Sequence, residues 1–344
     1  MSQVKRISLG LQGGGAHGAF TWGALDRLLG DERIEIAAIS GTSAGALNGA
    51  ALKSGMVRNG RAGARAALDD LWHRIGAISD QRLGAWVQGV DLAKVSQALT
   101  FSLPFAMADA LTRVVSPYAY GPFYRNPLRG IVDGFDFDEV CAHDGPQLCI
   151  GATCVRTGKI RVFKGHEIST DAILASACLP TLFQAVEIPD PATGRTEAYW
   201  DGGYSGNPAL FPLFSRELPG DIVIININPL ERAEVPKAPH DIQNRINEIS
   251  FNSSLLRELR AIAFVQRLLD QGKIAETEMK RLRVHMIADD ALMNDLSVAT
   301  KLLPTPVVLS RMKAAGSAAA EAFLQRHFDD IGNRGSVDLR AMLD

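Results

Sequence analysis

Little in this 344-residue sequence points to a cross-linked, strongly charged or membrane-spanning protein. The four cysteines, Cys141, Cys149, Cys154 and Cys178, show neither C-x-x-C spacing nor a dense framework. That fits reduced, mostly buried thiols and excludes a disulfide scaffold. Lys and Arg together number 36 against 38 Asp and Glu, so the formal net charge is −2. No overall basic field is available to attract nucleic acid, which is excluded as a partner. Uninterrupted apolar runs of about 18 residues, the length that spans a bilayer, are absent. There is no H-E-x-x-H, no Cys/His ligand spacing and no D-x-D-x-D-G loop, so neither metal nor cofactor is expected. The opening "MSQVKRISLGLQGG" passes from two basic residues directly into a short apolar strand, with no segment of signal-peptide length. A cytoplasmic protein is the reading, with room for peripheral contact with a membrane. Composition sets no oligomeric state.

What is present is a globular composition, 47% hydrophobic and 22% charged, in a chain long enough to bury a sizeable core. Residues 4–11 read as a strand, 16–29 as a helix ending near Gly30, and 34–40 as a second buried strand, the opening of a parallel β-α-β unit. A small-residue helix over 44–53, stopped by Gly55, and a second helix over 64–75 follow. From about residue 80 to 129 the text turns to Phe, Tyr, Leu and Pro and breaks the α/β rhythm, as an insertion covering the sheet would. "QLCIGATCV" and "KIRVFKG" read as a hairpin turning at Thr157-Gly158, before a helix over 170–177. Buried strands are expected at 221–229 and 282–288, and helices at 242–271 and 305–328. The one Pro-rich, charged linker candidate is "PLERAEVPKAPHD", which divides a catalytic α/β core, 1–230, from a mainly helical extension, 231–344, carrying one further strand and packed on the same domain.

"LGLQGGGAHGAF" contains a literal G-x-G-x-x-G in Gly13, Gly15 and Gly18, the dinucleotide signature. Its second requirement, an acidic residue ending the next strand, fails: Glu35 starts that strand, and its end runs "AAISGTSAGALNGA". That end supplies a different motif. Gly41-Thr42-Ser43-Ala44-Gly45 is G-x-S-x-G between a strand and a helix, where a serine on a strained turn projects its Oγ from the sheet edge. Gly41 and Gly45 leave room in such a turn, and the helix starting at Ala44 aims unpaired N–H groups at the serine. Gly13, Gly14 and Gly15 on the neighbouring strand can present N–H groups to an oxyanion, each donor being worth typically a few kcal/mol in the transition state.

A base for Ser43 is the next requirement. An α/β-hydrolase supplies Ser, then an acid, then His, but a serine near residue 43 with the glycine loop on the strand before it does not match that topology. Among the seven histidines, His285 lies inside an apolar strand and reads as a core residue. In "YWDGGYSGNP", Asp201 precedes Gly202 and Gly203, a pattern that is a turn by composition. Asp201 can also serve as a base if a partly apolar site, to which Tyr199 and Trp200 could contribute, places its acidity suitably.

Taken together and in this order, "GGGAHG", "GTSAG" and "DGG" resemble the patatin-like phospholipase family, and "ASACLPTLF", 175–183, is similar to the A-S-x-x-x-P segment of that family. The resemblance covers about residues 4–230, with a weaker likeness in the helical tail. It implies a three-layer α/β/α fold with a mostly parallel central sheet, patatin/lysophospholipase-like, with a helical cap insertion at 80–129 and a helical C-terminal region. It also implies a Ser-Asp dyad without histidine: Ser43 the nucleophile, Asp201 the base, and the N–H groups of Gly13, Gly14, Gly15 and Ala44 the oxyanion hole, with Gly18, Gly41, Gly45, Gly202 and Gly203 as supporting glycines. His17 stands where relatives often have Arg or Lys and reads as structural, since an ordinary histidine is mostly neutral at pH 7.

The expected activity is hydrolysis of fatty-acyl esters of lipids or phospholipids. The segment "FSLPFAMADALTRVVSPYAYGPFY" would cover the acyl chain or meet a lipid surface, or else pack as a hydrophobic layer on the sheet. Two other readings stay open: a soluble short-chain carboxylesterase or thioesterase, and a catalytically silent lipid-binding or scaffold protein.

Overall fold

The computed structural model describes residues 4–78, Ser96, 115–191, 193–232 and 234–343. Most of the expected cap, residues 79–95 and 97–114, lies outside the described residues. An eight-stranded mixed sheet runs β5-β6-β3-β2-β1-β7-β8, with β4 on β3. Its strands are β1 (Lys5–Leu11), β2 (Ile34–Gly41), β3 (Gln147–Cys154), β4 (Ile160–Lys164), β5 (Val186–Asp190), β6 (Arg195–Asp201), β7 (Asp221–Ile225) and β8 (Arg283–Ile287). The centre, β3-β2-β1-β7-β8, is parallel, and β4, β5 and β6 join antiparallel. The longer helices are α1 (Gly18–Leu29), α2 (Ala44–Gly76), α3 (Thr170–Ser176), α4 (Pro239–Asp270) and α5 (Pro306–His327).

The central strands show why the sheet is covered on both faces. In β7 every residue is buried, and successive side chains serve opposite layers: Val223 and Ile225 join one apolar core, Ile222 and Ile224 the other. The first core takes Phe20 and Leu28 of α1, Leu68 of α2, Ile173 of α3 and Phe323 of α5. The second takes Leu255, Leu259 and Ile262 of α4. The result is the three-layer α/β/α arrangement with a mostly parallel sheet that the sequence implied. Helix starts follow side-chain chemistry. Ser169 and Thr305 accept from Ala172 N and Val308 N, and Pro239 and Pro306 occupy first-turn positions where no N–H is needed.

Several local expectations shift. Gly55 does not stop the small-residue helix, which runs on to a break at Asn59 and Gly60 before continuing to Gly76. Gly55 is instead a close approach: a Cβ there would lie 2.3 Å from the Gly63 carbonyl oxygen. The strand expected over 221–229 ends at Ile225, beyond which Asn226 and Asn228 enter a side-chain network. Strand β5 carries no sequence signal because its Pro189 reads as a breaker, a residue that edge strands tolerate. The hairpin at Thr157-Gly158 is present between β3 and β4, with Gly158 at φ 66°.

One exchange of partners positions the site. Strand β4 lies along one edge of β3, opposite residues 149–153. On the other edge β2 covers β3 only as far as Gly41, opposite Ile150, and β6 takes over with Asp201 opposite Ala152. The chain that leaves the sheet after Gly41 thus turns beside the end of β6, which brings residues 160 positions apart in sequence into one place.

Candidate active site

Ser43 caps the N-terminus of α2 at φ 55°, ψ −121°, the single positive-φ non-glycine residue among those described. Such backbone costs about 1–3 kcal/mol and persists only where its surroundings impose it. Here they do. Ser43 N donates to Ser176 Oγ at 2.9 Å, Ser176 Oγ donates to Gly151 O at 2.7 Å, and Thr42 Oγ1 donates to Gly206 O at 2.8 Å. Ser176 belongs to the "ASACLPTLF" block, and its hydroxyl is what that block contributes to holding the elbow. Gly45 is required by contact: a Cβ would stand 2.1 Å from the Leu11 carbonyl oxygen. Gly41 backs onto the Gly45 carbonyl within the elbow, and the Ala44 methyl sits against Gly18, so the elbow and the glycine loop are in close contact.

Asp201, at the end of β6, is 1% exposed. Its Oδ1 accepts Gly203 N at 3.1 Å, while Oδ2 has no hydrogen-bond partner among the described residues. Burial pushes its pKa up to about 7, against the Ser43 hydroxyl and the Gly203 N–H, which favour the carboxylate. The Ser43 hydroxyl thus faces Asp201, although no hydrogen bond of ordinary length and angle closes between them. The apolar surroundings differ from those expected. Tyr199 points its hydroxyl toward Asp190 at 3.5 Å, whereas Tyr204 and Phe251, edge to face at 5.1 Å, line the cavity with Asp201. Gly202 packs on Gly151, where a Cβ would meet the carbonyl oxygen at 2.2 Å.

In the glycine loop, Gly14, Gly15 and Ala44 line the same cavity as Ser43. Gly13 does not. Its N–H donates to Asn207 Oδ1 at 2.6 Å and its carbonyl accepts Asn228 Nδ2 at 2.7 Å. This corrects the expected set of oxyanion donors: the Gly13 amide is spoken for within the protein. Gly15 holds the loop at φ 59°, against the Lys301 carbonyl. Sequence reading gave no role to Asn207 or Asn228; the Asn207-Pro208 step four residues after D-G-G was the available sign of the first.

His17 is buried, its Nε2 2.8 Å from Thr300 Oγ1. Burial and then the charge of Lys301 hold its pKa well below the ordinary value, so it is a neutral structural histidine. His285 is buried inside β8 with Nε2 3.0 Å from Asp221 Oδ1. Among the described residues no cluster of three or more His, Cys, Asp or Glu could hold a metal, and no helix is long and apolar enough to cross a membrane.

The cavity measures about 480 Å³, in the range of small-molecule sites. Leu47, Trp72, Ile75, Leu179, Leu182 and Phe183 form its apolar wall. Trp72 is fixed there by its Nε1 bond to Asn48 Oδ1 at 2.9 Å, and Asn48 in turn donates to Gly18 O at 3.1 Å.

A covered mixed sheet with a strained serine elbow beside a buried carboxylate is the layout of an α/β acyl-hydrolase fold. The family model for patatin-like phospholipase matches residues 9–214, and the chain belongs to that family. No curated protein matches it. Among solved structures it is similar to VipD from Legionella pneumophila, at 15% identity over 94% of this chain and 67% of that one, with a TM-score of 0.42. It is also similar to full-length ExoU, solved in complex with SpcU from the type III secretion system of Pseudomonas aeruginosa. That match has 16% identity over 94% of this chain and a TM-score of 0.33, and it spans 54% of the ExoU chain.

Proposed function

We propose that this protein is a serine acyl hydrolase that cleaves fatty-acyl esters of lipids through Ser43 and Asp201. The observation that carries the reading is a serine held in strained backbone, facing a buried carboxylate with a free oxygen and a pKa of about 7. Ser43 Oγ attacks the ester carbonyl carbon while its proton passes to Asp201 Oδ2. Negative charge gathers on the carbonyl oxygen, and the N–H groups of Gly14, Gly15 and Ala44 hold it. Collapse breaks the ester C–O bond, and Asp201 returns the proton to the departing alcohol. Water then attacks the acyl-enzyme, Asp201 accepts its proton, and the fatty acid leaves as Ser43 recovers its hydrogen.

A carboxylate of pKa about 7 suits this work because it accepts a proton at neutral pH and still returns it. The apolar wall supports a long acyl chain over a short one. The reading includes work in the cytoplasm at a lipid surface, with residues 231–344 serving the same catalytic unit. Hydrolysis of an acyl-chain series by wild type, Ser43→Ala and Asp201→Asn tests it. Ser43-dependent cleavage of long-chain lipids is expected; cleavage limited to short esters would transfer the protein to the carboxylesterases. Ester cleavage that survives Ser43→Ala in folded protein would overturn the mechanism.

A further inference from the structure

The cavity also has a polar lining. Asn228, Asn244, Asn247, Glu248 and Lys301 contribute to it, and Lys301 is the single cationic side chain lining it among the described residues. A lysine so placed is costly unless an anion answers it. Its nearest carboxylate, Glu248, is already held from both sides by Arg232, at 2.7 and 2.8 Å, with Asn244 at 3.1 Å and Arg245 at 3.4 Å. Lys301 Nζ reaches Glu248 Oε1 only at 3.6 Å and donates to Asn228 Oδ1 at 3.3 Å. Three cations, Arg232, Arg245 and Lys301, thus crowd the one Glu248 carboxylate, while Asp241 stands at the exposed rim.

The position is also contiguous with the chemistry. The Lys301 carbonyl packs on Gly15, and Asn228, which accepts from Lys301, grips Gly13 O with its other amide atom. Asn247, an exposed residue, also lines the cavity, and its side-chain amide has no hydrogen-bond partner among the described residues.

We propose that Lys301, with the Asn247 amide, binds a phosphate-type anion inside the acyl-hydrolase cavity, so that phosphate-bearing lipid esters are favoured over uncharged ones. This rests on the Ser43–Asp201 reading for the preference, though not for the binding.

Two measurements on wild type, Lys301→Met and Lys301→Arg separate the claims, with circular dichroism recording that each variant is folded. Calorimetry with glycerol 3-phosphate and with inorganic phosphate reads binding without turnover. A charge-assisted contact predicts that Lys301→Met weakens it about tenfold or more and that Lys301→Arg restores most of it. The second measurement is kcat/KM on a lysophospholipid and on a monoacylglycerol with the same acyl chain. The lysophospholipid preference should fall about tenfold in Lys301→Met, mainly through KM, and recover in Lys301→Arg. Lys301-dependent binding of both phosphates without any substrate preference would support the anion site and make free phosphate its source. Binding that depends on Lys301 in a protein that cleaves neither ester would keep the site and remove the hydrolase reading. Binding and preference that both ignore Lys301→Met would overturn the proposal.

Discussion

Two buried aspartates at the two ends of the parallel strands have opposite fates. Asp221, at the start of β7, lies in what resembles catalytic company: His285 Nε2 at 3.0 Å, Gly332 N at 2.8 Å and the Arg283 guanidinium at 3.4 Å. Burial works to raise its pKa, but the bonds from His285 and Gly332 and the charge of Arg283 outweigh burial and hold it below the ordinary value. Among the described residues Asp201 has no histidine or cation as partner and keeps one oxygen unpartnered, and burial pushes it up to about 7. The more completely satisfied carboxylate is the less able to take a proton. A His–Asp pair inside a sheet is therefore stabilising structure, while a nearly bare carboxylate beside a strained serine is poised for chemistry.

The sharpest break of this comparison is Ser43→Ala, expected to lower kcat for ester hydrolysis about ten-thousandfold with the fold intact, as measured by steady-state kinetics beside circular dichroism. Asp201→Asn is expected to cost about a hundredfold to ten-thousandfold. It should also erase the rise of wild-type kcat/KM with pH through about 7, the rise coming from loss of the Asp201 proton. A wild-type profile flat from pH 5 to 8 would deny Asp201 the role of base.

The same substitution should reveal a cost of the site. The folded chain keeps the Asp201 proton up to about pH 7, whereas the unfolded chain releases it near the ordinary value of 3.8. Stability therefore falls as pH rises between those values, by about 4 kcal/mol in all at 1.36 kcal/mol per unit. Asp201→Asn removes that loss, so urea denaturation should find the variant more stable than wild type at pH 8 and level with it near pH 4. A deficit at pH 8 would mean that Asp201 is not strained in its charged form. The smallest effect is expected at the other end of the sheet. His285→Gln should lower stability by about 1–3 kcal/mol by leaving Asp221 short of a partner, and leave the hydrolytic pH profile in place. A loss of turnover comparable to that of Ser43→Ala would make His285 part of the mechanism and dissolve the comparison.

Backbone requirements were legible in the sequence because glycine and serine patterns report local geometry. "GTSAG" predicted a strand-to-helix elbow, and Ser43 takes the positive φ such a turn demands. The apolar run opening 221–229 announced a buried strand, and its first five residues form one. Loss of the Gly13 amide to Asn207 was not legible, since 194 residues separate them and only the packed loop joins them. Nor was the break after Arg58 rather than at Gly55, where contact with Gly63 outweighs intrinsic propensity.

The sequence by itself determined the alternation of strand and helix, the three glycine-bearing motifs and hence the chemical kinds of group available, because these depend on neighbours within a few residues. Tertiary structure alone decided that β6 replaces β2 along β3, setting Asp201 beside Ser43. It also decided that His285 is spent on Asp221, and that Lys301, far from every motif, faces the cavity. Burial and charge at these sites arise from residues distant in the chain, so shifted acidity and the crowding of three cations on Glu248 exist only once the layers close.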